Sequence, residues 1–107
     1  MEESNRLPEC EEMIMSVIWN DEEDLDLHQV TDITNAKFGK DWKIQTVSTF
    51  LTRLEKKKYI SIYRIGRYSH YHAEVKRDVY RKIVLEEVAE RLFDDDFRKM
   101  SKFIKEM

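Results

Sequence analysis

The chain has few residues that interrupt regular structure: two glycines and one proline in 107 residues. This scarcity argues against a loop-rich sandwich or barrel and favours a helix-rich domain. The single cysteine, Cys10, excludes an internal disulfide and fits a reducing cytoplasm. No apolar run approaches the roughly 20 residues that cross a bilayer. The opening MEESNRLPEC lacks the basic-then-apolar order of a signal peptide. We therefore expect a soluble cytoplasmic protein with no membrane partner.

Positive charge is also scarce overall, since the net charge is −3. Its distribution is uneven, however. Residues 1–42 carry 3 Lys/Arg against 12 Asp/Glu, residues 43–82 carry 11 against 3, and residues 83–107 carry 5 against 7. The net charges of the three segments are therefore −9, +8 and −2. Because phosphate contact depends on local clustering, residues 43–82 form a candidate nucleic-acid surface.

Two amphipathic helices are predicted before this basic segment. The first runs from about Pro8 to Trp19, with acidic residues in its first turn that favour the helix dipole. The second begins at Asp26, which forms a capping-box pattern with Gln29, and stops at Gly39. Helical spacing predicts two buried stripes, one of Cys10, Met13, Ile14, Val17 and Ile18, and one of Leu27, Val30, Ile33 and Phe38.

A third helix is predicted from about Ile44 to Lys57, preceded by Trp42, which we expect to pack between the second and third helices. Its apolar positions are Val47, Phe50, Leu51 and Leu54. The polar positions are Gln45, Thr46, Ser48, Thr49, Thr52 and Arg53. So many hydroxyl side chains oppose helix propensity. Short polar side chains ending in an arginine suit a helix that lies in the DNA major groove.

A β-hairpin closed at Gly66 follows this helix, with alternating residues over 60–65 and 68–73. Arg64 and Arg67 flank its tip and, with Lys43, are predicted to contact phosphate. His70 and His72 share one strand face, but they lack further ligands for structural zinc, so we expect solvent-facing histidines and no metal. The tyrosines Tyr59, Tyr63, Tyr68 and Tyr71 are expected to fill the side of the hairpin that packs on helices; stacking on bases is the alternative.

The helical period returns from about Lys76, and a DDD sequence at 94–96 separates two helices and can cap the second. Their apolar residues need a cover, and a second copy of the chain is the simplest one. The predicted dimerisation residues are Val79, Ile83, Val84, Val88, Leu92, Phe93, Phe97, Met100 and Ile104. Folding back on the same domain is the alternative.

These elements predict an α+β, mainly helical fold: a winged helix-turn-helix over residues 1–75 and a helical dimerisation region over residues 76–107. The predicted function is a sequence-specific DNA-binding regulator. The chain has no Gly-rich phosphate loop, nucleophile elbow or HExxH motif, so we expect neither an enzyme nor a cofactor. The alternative is a winged helix that docks other proteins without specific DNA binding.

The sequence also resembles the penicillinase-repressor family of winged-helix regulators, which includes the BlaI, MecI and CopY types. The resemblance rests on LPECEEMIMSVIW, DWKIQTVSTFLTRLEKKKYI and RIGRYSHYHA, and it covers roughly residues 7–93. It implies a homodimeric repressor of a palindromic operator. By this likeness, Gln45, Thr46, Ser48, Thr49 and Arg53 belong to the recognition helix and Arg67 to the wing.

Three positions depart from that family's pattern. Lys43 and Ile44 replace a capping Ser and a Pro, and Lys58 replaces a Gly after the basic pair. Because a left-handed backbone costs a lysine about 1 kcal/mol, we expect a different turn at Lys58. The chain also lacks the Asn-Phe cleavage pair of β-lactam-responsive members and the cysteine cluster of copper-responsive ones. An unidentified signalling protein or protease is therefore a further candidate partner.

Overall fold

The computed structural model describes residues 5–107. The elements, in chain order, are α1 Glu9–Asn20, β1 Leu25–Asp26, α2 Leu27–Phe38, α3 Ile44–Lys56, β2 Ile60–Ile65, β3 Tyr68–Ala73, α4 Arg77–Leu92 and α5 Phe97–Lys105. They form two compact units. One is Leu7–Arg77, and the other comprises Asp78–Met107 together with residues 5–6.

Helix α1 supplies the largest share of the core of the first unit. It begins after Pro8, which is its N-cap, and ends one residue later than predicted, at Asn20. Its buried apolar residues are Ile14, Met15, Val17 and Ile18. Met15 was missing from the predicted stripe, while Cys10 and Met13 are only half-buried. The buried arc is therefore rotated from the predicted one.

Helix α2 begins and ends as predicted. The Asp26 carboxylate accepts from the Gln29 amide at 2.9 Å, and the Gln29 side chain accepts from the Asp26 amide, also at 2.9 Å. Gly39 ends the helix in the left-handed conformation with φ +62°. The predicted apolar side was wrong at Ile33, which is 40% exposed, whereas Thr31 and Thr34 are buried. The Thr31 hydroxyl donates to the Leu27 carbonyl at 2.8 Å, which lets a polar side chain enter the core.

Helix α3 buries Val47, Leu51 and Leu54 and ends at Lys56. Lys58 then adopts φ +64°. Its amide donates to the Glu55 carbonyl at 2.9 Å, and the Tyr59 amide donates to the Leu54 carbonyl at 3.0 Å. This pair of bonds is a Schellman motif, which glycine usually forms. The expectation of a different turn at Lys58 was therefore wrong, because the lysine takes the left-handed conformation.

The three strands form one antiparallel sheet in the order β1-β3-β2. The hairpin pairs Ile65 with Tyr68 across a two-residue turn in which Gly66 has φ +61°. Gly in the first of two turn positions suits the right-handed twist of a hairpin. The two-residue strand β1 was not predicted. It pairs only with β3, at Tyr71 and His70.

The second unit contains α4 and α5. Asp96 caps α5, since its carboxylate accepts from the Arg98 amide at 2.8 Å, which confirms the capping predicted for the DDD sequence. Asp94 and Asp95 both have positive φ angles, so the chain reverses between the two helices. The Phe93 and Phe103 rings contact each other at 5.6 Å between centroids. Among the described residues, no helix is long and apolar enough to cross a membrane.

Candidate nucleic-acid interface

The polar side of α3 faces solvent. Gln45, Thr46, Thr49, Thr52 and Arg53 are exposed, and Ser48 is half-buried. Lys43, the N-cap of α3, is also exposed and provides no side-chain cap. The three buried residues of α3 lie on the opposite side, so the helix presents one continuous polar surface.

Two hydroxyls on this surface are already bonded to the helix itself. Thr49 donates to the Gln45 carbonyl at 3.0 Å, and Thr52 donates to the Ser48 carbonyl at 3.0 Å. A threonine that bonds to the preceding turn keeps its methyl group for outside contacts. In a major groove, a threonine methyl packs against the methyl of thymine. Gln45 and Thr46 are thus better placed for hydrogen bonding, and the two later threonines for apolar contact.

Arg53 lies beside a short aromatic chain. Its guanidinium carbon is 5.7 Å from the Phe50 ring centroid. The Phe50 ring in turn contacts Trp42 at 5.4 Å between centroids. A guanidinium on an aromatic face loses some of its rotamer freedom and keeps its five N–H donors. Arg53 is therefore oriented along α3 and able to form the paired hydrogen bonds that arginine makes to guanine.

The turn that leads into α3 is held by one side chain of α2. Asn35 donates from Nδ2 to the Trp42 carbonyl at 2.9 Å, and its Oδ1 accepts from the Trp42 amide at 3.0 Å. These two hydrogen bonds to one residue fix the link between α2 and α3, for which the sequence predicts only a short connection, Gly39–Trp42. These bonds tie the residue two positions before α3 to α2.

The basic residues after α3 have different environments. The Lys57 ammonium lies 2.6 Å from the carboxylate of Glu11, which is 2% exposed. Lys57 thus pairs with α1 and is not a good phosphate contact. Arg64 donates from Nη2 to the Arg67 carbonyl at 3.2 Å, which braces the hairpin tip. Both arginines are exposed, so the tip presents two guanidinium groups.

A polar cluster lies at the base of the hairpin, on its outer face. The Tyr63 hydroxyl donates to Asp24 Oδ2 at 2.8 Å, and His72 Nδ1 lies 3.0 Å from Asp24 Oδ1. The His70 ring stacks on Tyr63 at 5.5 Å between centroids. His72 is exposed, as expected, whereas His70 is half-buried. The described residues contain no group of three or more His, Cys, Asp or Glu arranged for a metal.

The charges in this cluster shift two pKa values in opposite directions. Partial burial raises the pKa of Asp24, but the hydrogen bonds from Tyr63 and His72 outweigh it and leave that pKa lowered. The bond to Asp24 and its charge raise the pKa of His72. Asp24 was not among the predicted site residues. Only the acidic run at 21–24 hinted at it, and that run reads as a solvated loop.

The tyrosines of the hairpin do not all pack inward. Tyr71 is buried and Tyr59 half-buried, as expected, but Tyr63 and Tyr68 are exposed, so the prediction was wrong for those two. Tyr63 instead belongs to the outer polar cluster. Tyr68 pairs with Ile65 beside the tip, where both side chains remain open to solvent.

Comparison with known proteins identifies the family. Residues 7–107 match the family described as penicillinase repressor. The chain belongs to this family. Penicillinase repressors are transcriptional regulators and not enzymes, and the chain is a DNA-binding repressor. The comparison with curated proteins yields no match.

A solved structure of a repressor's DNA-binding domain supports the fold. The DNA-binding domain of the repressor BlaI, solved in solution, matches with a TM-score of 0.60 at 24% identity, covering 75% of this chain and 94% of that one. At this identity the match speaks for the architecture alone. The winged helix-turn-helix predicted from the sequence is confirmed.

In this penicillinase repressor, the predicted dimerisation residues divide into two groups. Four are exposed: Val79, Leu92, Phe97 and Ile104. Of the others, Met100 is buried, and Ile83, Val84, Val88 and Phe93 are half-buried. Leu85, Phe103 and Met107 are also exposed apolar side chains, and the prediction omitted them.

Proposed function

We propose that this penicillinase repressor is a homodimer that blocks transcription by binding a palindromic operator, with α3 of each subunit in a major groove and the hairpin as a wing on the flanking backbone. The observation that carries the proposal is the exposed polar face of α3, which leads directly into a hairpin with two arginines at its tip. A purely structural surface has no need of four hydroxyl residues on one helix.

The residues divide by the contact that their chemistry favours. Gln45, Thr46 and Arg53 would hydrogen bond to base edges, while Thr49 and Thr52 offer methyl groups and Ser48 a partly buried hydroxyl. Lys43, Arg64 and Arg67 would contact phosphates, which position the protein without reading sequence. The +8 charge of residues 43–82 supports this assignment.

The second unit supports the homodimer. Seven of its large apolar side chains are exposed, six of them on the two helices; Leu92 is 73% exposed and Met107, after α5, is 88% exposed. Monomeric proteins rarely leave a large contiguous apolar patch uncovered. A two-fold dimer would place the two α3 helices in successive major grooves, roughly 34–36 Å apart.

The recognition helix is tested by replacing Arg53 or Thr46 with alanine. We expect each variant to bind a selected operator duplex more weakly and to lose part of its preference over bulk competitor, by about 1–3 kcal/mol for a lost base contact. The measurement is a gel-shift titration on duplexes selected from a random pool. Lys56→Ala is the matched control for Arg53→Ala, because it removes the same charge from the same helix and should weaken all sequences alike.

Two results would contradict this assignment. Unchanged affinity and sequence preference in Arg53→Ala and Thr46→Ala would remove α3 from the interface. Binding to duplex DNA that ignores salt, or that shows no preferred sequence, would favour the protein-docking alternative.

The dimer is tested by Ile104→Glu, which puts a charge on the exposed apolar side of α5. We expect it to sediment as a monomer and to bind the operator less tightly. Lys102→Gln changes the net charge by the same amount on the polar side of α5 and should remain dimeric. A dimer of unchanged stability in Ile104→Glu would refute this interface.

A further inference from the structure

The outer part of the hairpin has little support from the rest of the fold. Strand β1 pairs with β3 only at Tyr71 and His70. Between the Tyr63–His70 pair and the tip, β2 and β3 pair only with each other. An isolated two-stranded hairpin is marginally stable in water. The orientation of the tip therefore depends on how its base is fixed.

Asp24 contacts both strands at this base. Its two carboxylate oxygens engage Tyr63 of β2 and His72 of β3, at 2.8 Å and 3.0 Å. Asp24 lies immediately before β1 and two residues before Asp26, the cap of α2. One carboxylate thus connects the helix-turn-helix segment to both strands of the wing.

We propose that Asp24 is a positioning residue for DNA binding, which holds the wing at the angle that brings Arg64 and Arg67 to the phosphates and which grips it more firmly when His72 is protonated. This inference rests on the proposed function. It adds a residue that touches no DNA and a dependence on pH.

The charged surroundings of His72 set the direction of that dependence. Asp24 and, more weakly, Glu74 favour its protonated form, and partial burial opposes it. Tyr63, Tyr68 and His70 also lie on this face of the hairpin, and Asp26 lies across from His70 in the sheet. When His72 is protonated, its bond to the Asp24 carboxylate becomes an ion pair, with charge on the donor as well as on the acceptor, and is stronger. The interaction of Asp24 with the wing should therefore strengthen as pH falls from 8 to 6.

Asp24→Asn separates positioning from simple electrostatics. Removing a negative charge near a DNA-binding surface should by itself strengthen binding. Loss of the two hydrogen bonds that hold the wing should weaken DNA affinity by about threefold to tenfold, which is the effect of one modest hydrogen bond. Glu22→Gln is the matched control, since it removes the same charge from the same loop and should bind no more weakly than the unmodified chain. Tyr63→Phe should reproduce the loss without changing any charge at neutral pH.

The pH profile gives a readout that a merely structural role would not move. The probe is a duplex selected from a random-sequence pool by the unmodified chain, titrated at fixed salt between pH 6 and 8. We expect affinity to rise toward pH 6, and this rise to shrink in His72→Gln and Asp24→Asn. His28→Gln, which removes an exposed histidine of α2, should keep it.

A second measurement needs no DNA. In the unmodified chain, the NMR titration midpoint of His72 should lie above the ordinary value for histidine, and in Asp24→Asn it should fall. An unchanged His72 midpoint in Asp24→Asn, or Asp24→Asn binding as well as Glu22→Gln with an unchanged pH profile, would overturn the proposal. If the chain binds no duplex at any pH, the proposed function itself fails, and the NMR titration still shows whether Asp24 holds His72.

Discussion

Lys58→Gly should stabilise the protein, because Lys58 occupies a left-handed position that closes α3. Its φ of +64° costs an L-residue about 1–2 kcal/mol, and glycine avoids that cost. Glycine also gives the unfolded chain more freedom, which offsets roughly 0.5–1 kcal/mol. The net gain should be about 0.5–1 kcal/mol. With an unfolding entropy of roughly 2.1 cal/mol/K per residue, the melting temperature of this 107-residue chain should rise by about 2–4 °C.

The assay is urea unfolding followed by circular dichroism, at one protein concentration for all variants. Lys56→Gly is the matched control: it removes the same side chain from the last residue of α3 and should destabilise by up to about 1 kcal/mol. Lys58→Ala separates the backbone from the charge, since it removes the ammonium but keeps the Cβ, and should bring no gain. A Lys58→Gly variant that loses as much stability as Lys56→Gly would refute the left-handed assignment.

Two further predictions concern contacts that hold α3 in place. Lys57→Met should lower the free energy of unfolding in urea by about 2–3 kcal/mol, because it leaves the carboxylate of Glu11 buried without its cation. Adding Glu11→Gln should restore most of the lost stability. A Lys57→Met variant as stable as the unmodified chain would contradict this. Asn35→Ala removes both bonds to the Trp42 backbone and should cost about 1–2 kcal/mol by the same assay. It should also weaken operator binding in a gel shift, and full affinity would show that this turn does not set the position of α3.

Features fixed by neighbouring residues were readable from the sequence. The capping box at Asp26, the left-handed stop at Gly39 and the turn at Gly66 each depend on residues close in the chain, so local patterns sufficed. Three of the four apolar positions predicted for α3 are buried and the fourth, Phe50, is half-buried, because the 3.6-residue period of this helix is clear. The exposed polar face of α3 follows directly from that period.

Features that depend on distant residues were not readable. Glu11 sits among first-turn acids that suit a helix dipole, yet it is buried against Lys57, 46 positions away. Ile33 is exposed while Thr34 is buried, because the packing of α2 against its neighbours, and not hydrophobicity alone, decides which side of the helix is covered. Asp24 meets His72 across 48 positions, and the acidic run at 21–24 gave only a weak local hint of its role.

The pairing of Lys57 with Glu11 affects how many cations this protein should displace when it binds DNA. Residues 43–82 contain 11 lysines and arginines, and a tally of charges would assign each a share in displacing cations from DNA. The Lys57 ammonium is already paired with the Glu11 carboxylate of α1. Moving it to a phosphate would therefore exchange one anionic partner for another and release few cations from the DNA. The number of cations freed on binding should therefore be smaller than the tally. Lys57→Met should leave the slope of log affinity against log salt almost unchanged, wherever the variant remains folded.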